Sequence, residues 1–378
     1  MSNTKTNKVT RTPLTFAAID SYIETNIIAP TERNIPAQNM VEWGDGNRYP
    51  EYLLELYNSV PTLRAIINGN VDYIAGDDAT LVPFGGNRPG TVNKRGDTIR
   101  DQLRQLAKDY EMYGGCALQV IRDYTGAVAE LYALDMRFLR TNKDGNVLYY
   151  SEDFGKGGKR DAVVYPAFMP SLDWASLTDE QRARQVSSVL MIKIVNTQVY
   201  PAPLYAAAVK ACEIERCIDD YHLNAINNGF VSSLLVNFNN GVPDDHIKEE
   251  IEETFNAKFS GHQNAGRVLF SWNRSKETAT EIITPQIEDF GDRYKALSEH
   301  SRQQIFTAFR ANPNLFGIPT EGNGFANEQY AESYRLYNRT QIKPAQRMLC
   351  DMYGKVLGVD NALTIRPFTL DGADTLVN

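Results

Sequence analysis

The strongest constraint on the fold is a pair of long helical patterns that enclose a short insertion. Residues 206–227 read as one uninterrupted helix, entered after Pro201 and Pro203 and stopped by Gly229. At 1.5 Å per residue, its twenty-odd residues span roughly 30–35 Å. A second long helix is predicted over about 289–311. Between the two lie a strand pattern at 231–238, an acidic helix at 243–259 and a second strand pattern at 267–272, closed by residues 281–285. A chain that runs out along one long helix, builds a strand–helix–strand unit and returns along another is predicted to be a stalk with a knob at its far end.

The flanking segments mix helix and strand. Leu53, Leu54, Leu56 and Tyr57 are followed, after Pro61, by Leu63, Ile66, Ile67 and Val71, mostly at three- and four-residue spacing. Residues 80–96 are rich in Gly, Pro and Asn and read as a loop. Residues 98–113 put Ile99, Leu103, Leu106 and Tyr110 on one helical face, ended by Gly114-Gly115. Two hairpins follow: 117–122 with 128–134 around Asp123-Tyr124-Thr125-Gly126, and 138–141 with 147–150 around Asn142-Lys143-Asp144-Gly145. Residues 151–187 are polar with one short helix-like piece, and 189–195 read as an apolar strand. Beyond Pro313 comes a glycine-rich loop, then a helix over 327–357 with a kink or break expected at Pro344, where a backbone hydrogen bond is lost. A terminal strand is predicted at 364–370, and residues 1–12 read as a disordered arm.

Composition narrows the function. The formal charge is 39 − 47 = −8, and 42% hydrophobic with 23% charged residues is ordinary for a globular chain of 378 residues, long enough for two or three domains. So acidic a chain gains nothing from DNA phosphates unless its basic groups cluster on one face. Cys116, Cys212, Cys217 and Cys350 make no disulfide framework, no 18-residue apolar run could span a membrane, and the polar start lacks the apolar stretch of a secretory signal. A reducing, cytosolic compartment is expected. Gly155-Lys156-Gly157-Gly158-Lys159-Arg160 has neither the spacing nor the hydroxyl of a phosphate cradle. His222, His246, His262 and His300 never pair at metal-ligand spacing, and Cys212 and Cys217, five apart on a helix, face different ways. Gly76-Asp77-Asp78 reads as a helix C-terminal turn. No catalytic residue, metal or cofactor is indicated.

Several phrases stand in an order shared with one known family. Tyr113-Gly114-Gly115-Cys116 with the strand to Arg122-Asp123 is similar to that family's Gly-Asn-Ala-Tyr, apolar strand and Arg-Asp turn, and Leu131-Tyr132-Ala133-Leu134-Asp135 to the segment that follows. Tyr200-Pro201-Ala202-Pro203-Leu204-Tyr205-Ala206-Ala207 resembles the start of its stem helix, Asn228-Gly229 the end, and Asn264-Ala265-Gly266-Arg267 a later strand. The best match is Phe316-Gly317-Ile318-Pro319, then Asn327-Glu328-Gln329, then residues 338–344 ending in Pro344. Together, over roughly residues 50–357, they resemble bacteriophage portal proteins, the head-to-tail connector family of long-tailed double-stranded-DNA phages.

The resemblance implies an α+β portal fold with an α/β wing, a two-helix stem and a small α/β clip: wing 1–202, stem helix 203–229, clip 230–288, stem helix 289–311, then tunnel loop, kinked tunnel helix and wing return strand in 312–378. Little chain follows Leu370, so the crown of larger portals is expected to be absent or minimal. It also implies a homo-oligomeric ring, usually a dodecamer, at one capsid vertex of the virion, built from subunits made in the host bacterial cytoplasm. The expected partners are double-stranded DNA as translocated cargo, terminase, a head–tail adaptor and the major capsid or scaffold protein, with no membrane. The competing readings are a capsid scaffold or adaptor without a channel, and a metal-dependent phage nuclease or hydrolase.

Three sets of residues become candidates. Glu321, Gly322, Asn323, Gly324, Phe325 and Asn327 would form the tunnel loop, Glu321 and Phe325 lying nearest DNA; an ordinary surface loop is the alternative. Asp244, Asp245, Glu249, Glu250 and Glu253 would form a clip docking surface for a basic partner; a solvated helix face is the alternative. On the stem, Lys210 and Arg216 stand against Glu213, Glu215, Asp219 and Asp220, 2 − 4 = −2, which would repel DNA from a channel wall. Ile214, Ile218 and Tyr221 are candidates for a ring interface, with packing inside the chain as the equal alternative.

Overall fold

The computed structural model describes residues 27–85, 90–154, 162–194, 198–227, 234–238, 243–244, 246–248, 268–272, 290–318 and 327–368. A hairpin of β1 (Glu32–Ile35) and β2 (Met40–Trp43) comes first. It leads into α1 (Tyr49–Ser59) and α2 (Pro61–Ala75), each with proline in its opening turn, where a missing N–H costs nothing. After β3 (Asp78–Leu81) comes α3 (Ile99–Tyr113). Its start is a reciprocal cap: the Asp101 amide donates to Thr98 Oγ1 at 3.2 Å, and the Thr98 amide to Asp101 Oδ2 at 3.1 Å. It ends at Gly114, which takes a left-handed φ of 78°.

β4 (Gly115–Arg122) and β5 (Val128–Leu134) form the first expected hairpin. Its turn is held by Asp123 Oδ1, which accepts from the Thr125 amide at 2.8 Å and the Ala127 amide at 3.1 Å. β6 (Leu139–Thr141) and β7 (Val147–Tyr150) form the second hairpin, extended by β8 (Val163–Pro166). After α4 (Asp179–Gln185), β9 (Ser187–Lys193) pairs antiparallel with β4. The long helix α5 (Val209–Asn227) follows, then β10 (Leu234–Phe238) and β11 (Val268–Trp272), which pair in parallel as a strand–helix–strand insertion requires. α6 (Phe290–Ala308) is the second long helix. α7 (Asn327–Tyr337), a π turn (Asn338–Ile342) and α8 (Lys343–Leu357) make the last helical run, and β12 (Leu363–Arg366) returns to pair with β3.

The chain divides into two units, residues 1–213 with 302–378, and residues 214–301. In the first, α1, α2, α3 and α8 and the inner face of the β5-β4-β9 sheet enclose one apolar core, from Trp43 and Leu53 through Leu106 and Leu118 to Leu349 and Met352. The Trp43 indole stacks on Tyr200 with centroids 4.7 Å apart and planes 2° from parallel. Arg140, fully buried, donates Nε to Asn47 Oδ1 at 2.8 Å, Nη2 to the Asn47 carbonyl at 2.9 Å and Nη1 to the Arg137 and Leu139 carbonyls at 2.8 and 2.7 Å. Burial lowers its pKa to about 10. Rings of Trp43 and Phe154 lie over the guanidinium at 5.7 and 5.0 Å, so a buried cation ties the N-terminal hairpin to β6 through carbonyls and π faces. In the second unit, the rings of His222 on α5 and Tyr294 on α6 meet edge to face at 5.8 Å.

The interruption expected at Pro344 is the π turn just ahead of it. Buried positions in this run are Tyr334, Tyr337, Ile342, Ala345, Leu349, Met352, Tyr353 and Val356. Apart from Tyr353, which adjoins Met352 and widens the buried stripe, the steps are three or four residues except Tyr337 to Ile342, which is five. In an α-helix five residues turn about 500°, placing Ile342 about 140° off the buried face. A π turn widens the helix locally and returns Ile342 to the core, and Pro344 then sits in the first turn of α8. β3 and β8 were not evident in the sequence: four residues each is too short for a pattern, and β3 finds its partner, β12, almost 300 residues away.

Gly114 couples two levels of this architecture. Its φ of 78° disfavours any side chain, and a Cβ there would overlap the Ala202 carbonyl. Gly114→Ala is expected to destabilise the protein by more than about 2 kcal/mol, read as a lowered midpoint of chemical denaturation with unchanged slope.

Candidate functional site

Residues 319–326 fall outside the described residues, so Glu321, Gly322, Asn323, Gly324 and Phe325 do too; Asn327 is described only as the first residue of α7. The structure does describe both ends of that loop. On its N-terminal side, Asn312 caps a 3-10 turn (Pro313–Phe316) by accepting from the Asn314 amide at 3.1 Å, and Gly317 closes the turn at φ 77°. Leu315 is buried, and its carbonyl accepts from the Tyr73 hydroxyl at 2.9 Å. The Phe316 ring meets Tyr73, Phe306 and Tyr337 at centroid distances of 6.2, 6.2 and 5.8 Å. It rests where a Cβ on Gly69 would stand, so α2 admits the ring only because residue 69 has no side chain. On the C-terminal side, Tyr334 packs on Tyr73 at 5.4 Å and donates to the Phe368 carbonyl at 2.7 Å. Both flanks of the loop are therefore seated in one aromatic cluster on α2.

A polar chain continues inward from that cluster. The Tyr337 hydroxyl donates to Asn70 Oδ1 at 2.7 Å, and Asn70 Nδ2 donates to Glu111 Oε2 at 2.8 Å. Glu111 is buried on α3, and desolvation lifts its carboxyl from the ordinary 4.5 to about 7, partly offset by the Asn70 bond. Three further bonds tie α8 to the same elements: Gln346 Nε2 to the Tyr73 and Ile74 carbonyls at 3.3 and 3.1 Å, and the Tyr353 hydroxyl to Gln102 Oε1 at 2.6 Å. Sequence reasoning missed Asn70 and Glu111, because one polar residue on an otherwise apolar helix face carries no periodic signal.

The stem residues divide. Glu213 and Glu215 are buried, Ile218 is buried and Ile214 half-buried, whereas Lys210, Asp219 and Asp220 are exposed. The surface of α5 thus presents the two aspartates rather than all four acids counted in the sequence. The side chain of Tyr221 lies outside the described residues. Of the clip acids, Asp244 is exposed, and its carbonyl accepts from the Lys248 amide at 3.2 Å, a helical turn where one was expected. Asp245, Glu249, Glu250 and Glu253 lie outside the described residues. Among the described residues no three of His, Cys, Asp and Glu converge as a metal site, and no helix is long and apolar enough to cross a membrane.

Comparison with known proteins follows the same outline. The family model for the phage portal protein matches residues 93–371. An HK97-family phage portal protein from Corynebacterium diphtheriae superposes with a TM-score of 0.51 at 12% identity, over 86% of this chain and 97% of that one. A chain in the neck of an empty gene transfer agent particle, computed with C6 symmetry, gives a TM-score of 0.50 at 16% identity, over 86% of this chain and 85% of that one. A search of curated proteins finds no match.

The buried carboxyl gives a measurable pH dependence. In the unfolded chain Glu111 ionises near 4.5 and in the folded protein near 7, so ionisation is disfavoured by folding and stability falls as pH rises between those values. The loss is about 1.4 kcal/mol per pH unit, about 3 kcal/mol in all. Glu111→Gln keeps an acceptor for Asn70 and removes the titration. Subtracting its denaturation free energies from those of the unmodified protein at pH 5, 6, 7 and 8 is expected to expose that slope, flattening above pH 7; a difference constant from pH 5 to 8 would contradict it.

Proposed function

The chain belongs to the phage portal protein family, and from that premise we propose that it forms a homo-oligomeric ring at one capsid vertex, through which double-stranded DNA enters and leaves the head. The observation that carries the reading is the footing of loop 319–326. A loop that must keep its position beside a moving polymer needs a rigid base, and both of its ends are seated on α2 by Phe316, Tyr334 and Tyr337. In this reading Glu321 and Phe325 face the DNA, and the glycines at 322 and 324 give the tip its freedom.

Charge supports the same role. A duplex facing a cationic wall releases counterions and binds tightly, which would arrest its movement. A chain of net charge −8 repels phosphates at long range and leaves contact to a few chosen groups, within a screening length of roughly 8–10 Å. The exposed Asp219 and Asp220 add to that repulsion along the stem. The acidic clip segment around Asp244 suits a docking surface for a basic face of terminase or of a head–tail adaptor. The subunit is read as a structural component of the virion, made in the host cytoplasm and meeting the major capsid or scaffold protein there, and not as an enzyme.

Electron micrographs of the purified full chain test this first: rings with a central hole are expected, and particles of monomer size at high concentration would contradict the reading. Deleting residues 321–325 is expected to leave rings intact and to reduce DNA packaged or retained per particle by at least tenfold. Loss of rings on that deletion would reassign the loop to assembly.

A further inference from the structure

The outer face of the last helical run carries a feature that the acidic composition conceals. Arg335, Arg339, Lys343 and Arg347 recur every fourth residue across α7, the π turn and α8, and all four are exposed. Among the described residues, Arg339, Lys343 and Arg347 take part in no ion pair. Among the described side chains of this run, the acidic ones are Glu332 before Arg335 and Asp351 after Arg347. In an unbroken α-helix a four-residue step overshoots a full turn by about 40°, so four such residues would wind about 120° around the helix. The wider π turn offsets part of that drift, and the irregularity that returns Ile342 to the core also keeps the cations on one side. The row is about 18 Å long, with about 6 Å between successive charges. Beside it opens a cleft of about 330 Å³ between Arg310 and the Leu336–Gln341 stretch, which adds a fifth exposed cation and the Gln341 amide.

We propose that this row is a contact surface for the phosphate backbone of duplex DNA. Arg339, Lys343 and Arg347, like charges at constant spacing, repel one another, and the ligand that neutralises such a row together is a linear polyanion. Leu336 is the one large apolar side chain exposed along the row among the described residues, so the face offers a protein partner little apolar surface to bury. Arginine and lysine here meet phosphates without base edges to read, so recognition is independent of sequence. With at most four contacts per subunit, on a chain of net charge −8, the row falls short of the continuous cationic wall that would arrest a duplex, and binding is weak at physiological salt and strong at low salt. That DNA comes within reach rests on the reading of the chain as a conduit; the contact itself needs no ring.

The test is binding of the purified full chain to a fluorescent DNA duplex of about 30 base pairs, measured by anisotropy across a salt series, with assembly followed on the same samples by electron microscopy. The quadruple variant Arg335→Gln, Arg339→Gln, Lys343→Gln, Arg347→Gln is expected to bind at least tenfold more weakly at low salt. Its log–log salt slope should be shallower by about 3 to 4 per subunit engaged. The double variant Arg95→Gln, Arg184→Gln, which removes two exposed cations elsewhere, should bind as the unmodified chain does. If the quadruple variant does not fold, Arg339→Gln and Arg347→Gln singly should each reduce the slope by about 1. Unchanged affinity and slope in these variants, or no binding by the unmodified chain at low salt, overturns the inference. Loss of rings with DNA affinity intact also overturns it and assigns the row to a second copy of the chain. DNA binding through the row in a chain that forms no ring upholds the inference while refuting the ring.

Discussion

Asn70 occupies the point on which the loop-bearing part of the structure turns. It is buried on α2, accepts from Tyr337 at the end of α7 and donates to Glu111 on α3. A buried amide left without partners would cost on the order of 1–3 kcal/mol, so three helices must keep their relative positions for these bonds to persist. The aromatic cluster of Tyr73, Phe316, Tyr334 and Tyr337 supplies apolar burial around that point, and the amide supplies direction. Apolar packing alone would let α7 slide by a fraction of a turn. The hydroxyl of Tyr337 in line with Asn70 does not.

Much of this was legible beforehand, for reasons that differ by element. α3 declares itself through Thr98, Asp101 and Gly114, each acting on backbone groups within one turn. Both hairpins follow from turn residues whose side chains bond their own neighbours, as Asp123 does. The parallel pairing of β10 and β11 follows from the helix pattern between them. Long-range pairing was not legible: β3 needs β12 and Arg140 needs Asn47, and neither partner leaves a mark in the local sequence. The glycines single out the candidate loop in the sequence, whereas the footing of its flanks leaves no local mark there. Gly69 looks like an ordinary helix glycine until Phe316 is seen lying against it.

Charge counted along a helix overstated what its surface shows. Residues 206–227 read as a face of net −2, yet Glu213 and Glu215 are turned into the structure and the exposed acids are Asp219 and Asp220. The reverse holds for the last helical run, whose cations were invisible in a total of −8 but are aligned and exposed. Net charge describes what a chain repels at a distance; what it touches depends on which charges the helix phase brings to the surface.

The π turn has a consequence for how such a chain can vary. It holds one residue more than an α-helix needs, and the wider turn absorbs that residue without changing the rotational phase between the half of the run nearest the loop and the half built into the core. Removing a single residue between 338 and 341 would let α7 and α8 merge into a regular helix. Tyr337 and Ile342 would then stand four residues apart, about 400° of turn, and Arg335 and Lys343 seven apart, about 700°, so both faces would keep their alignment to within about 40°. One residue more would instead put Tyr337 and Ile342 six apart, about 600°, and turn the two halves of the core face away from each other. The stretch thus tolerates a loss that restores the regular helix and resists a further gain.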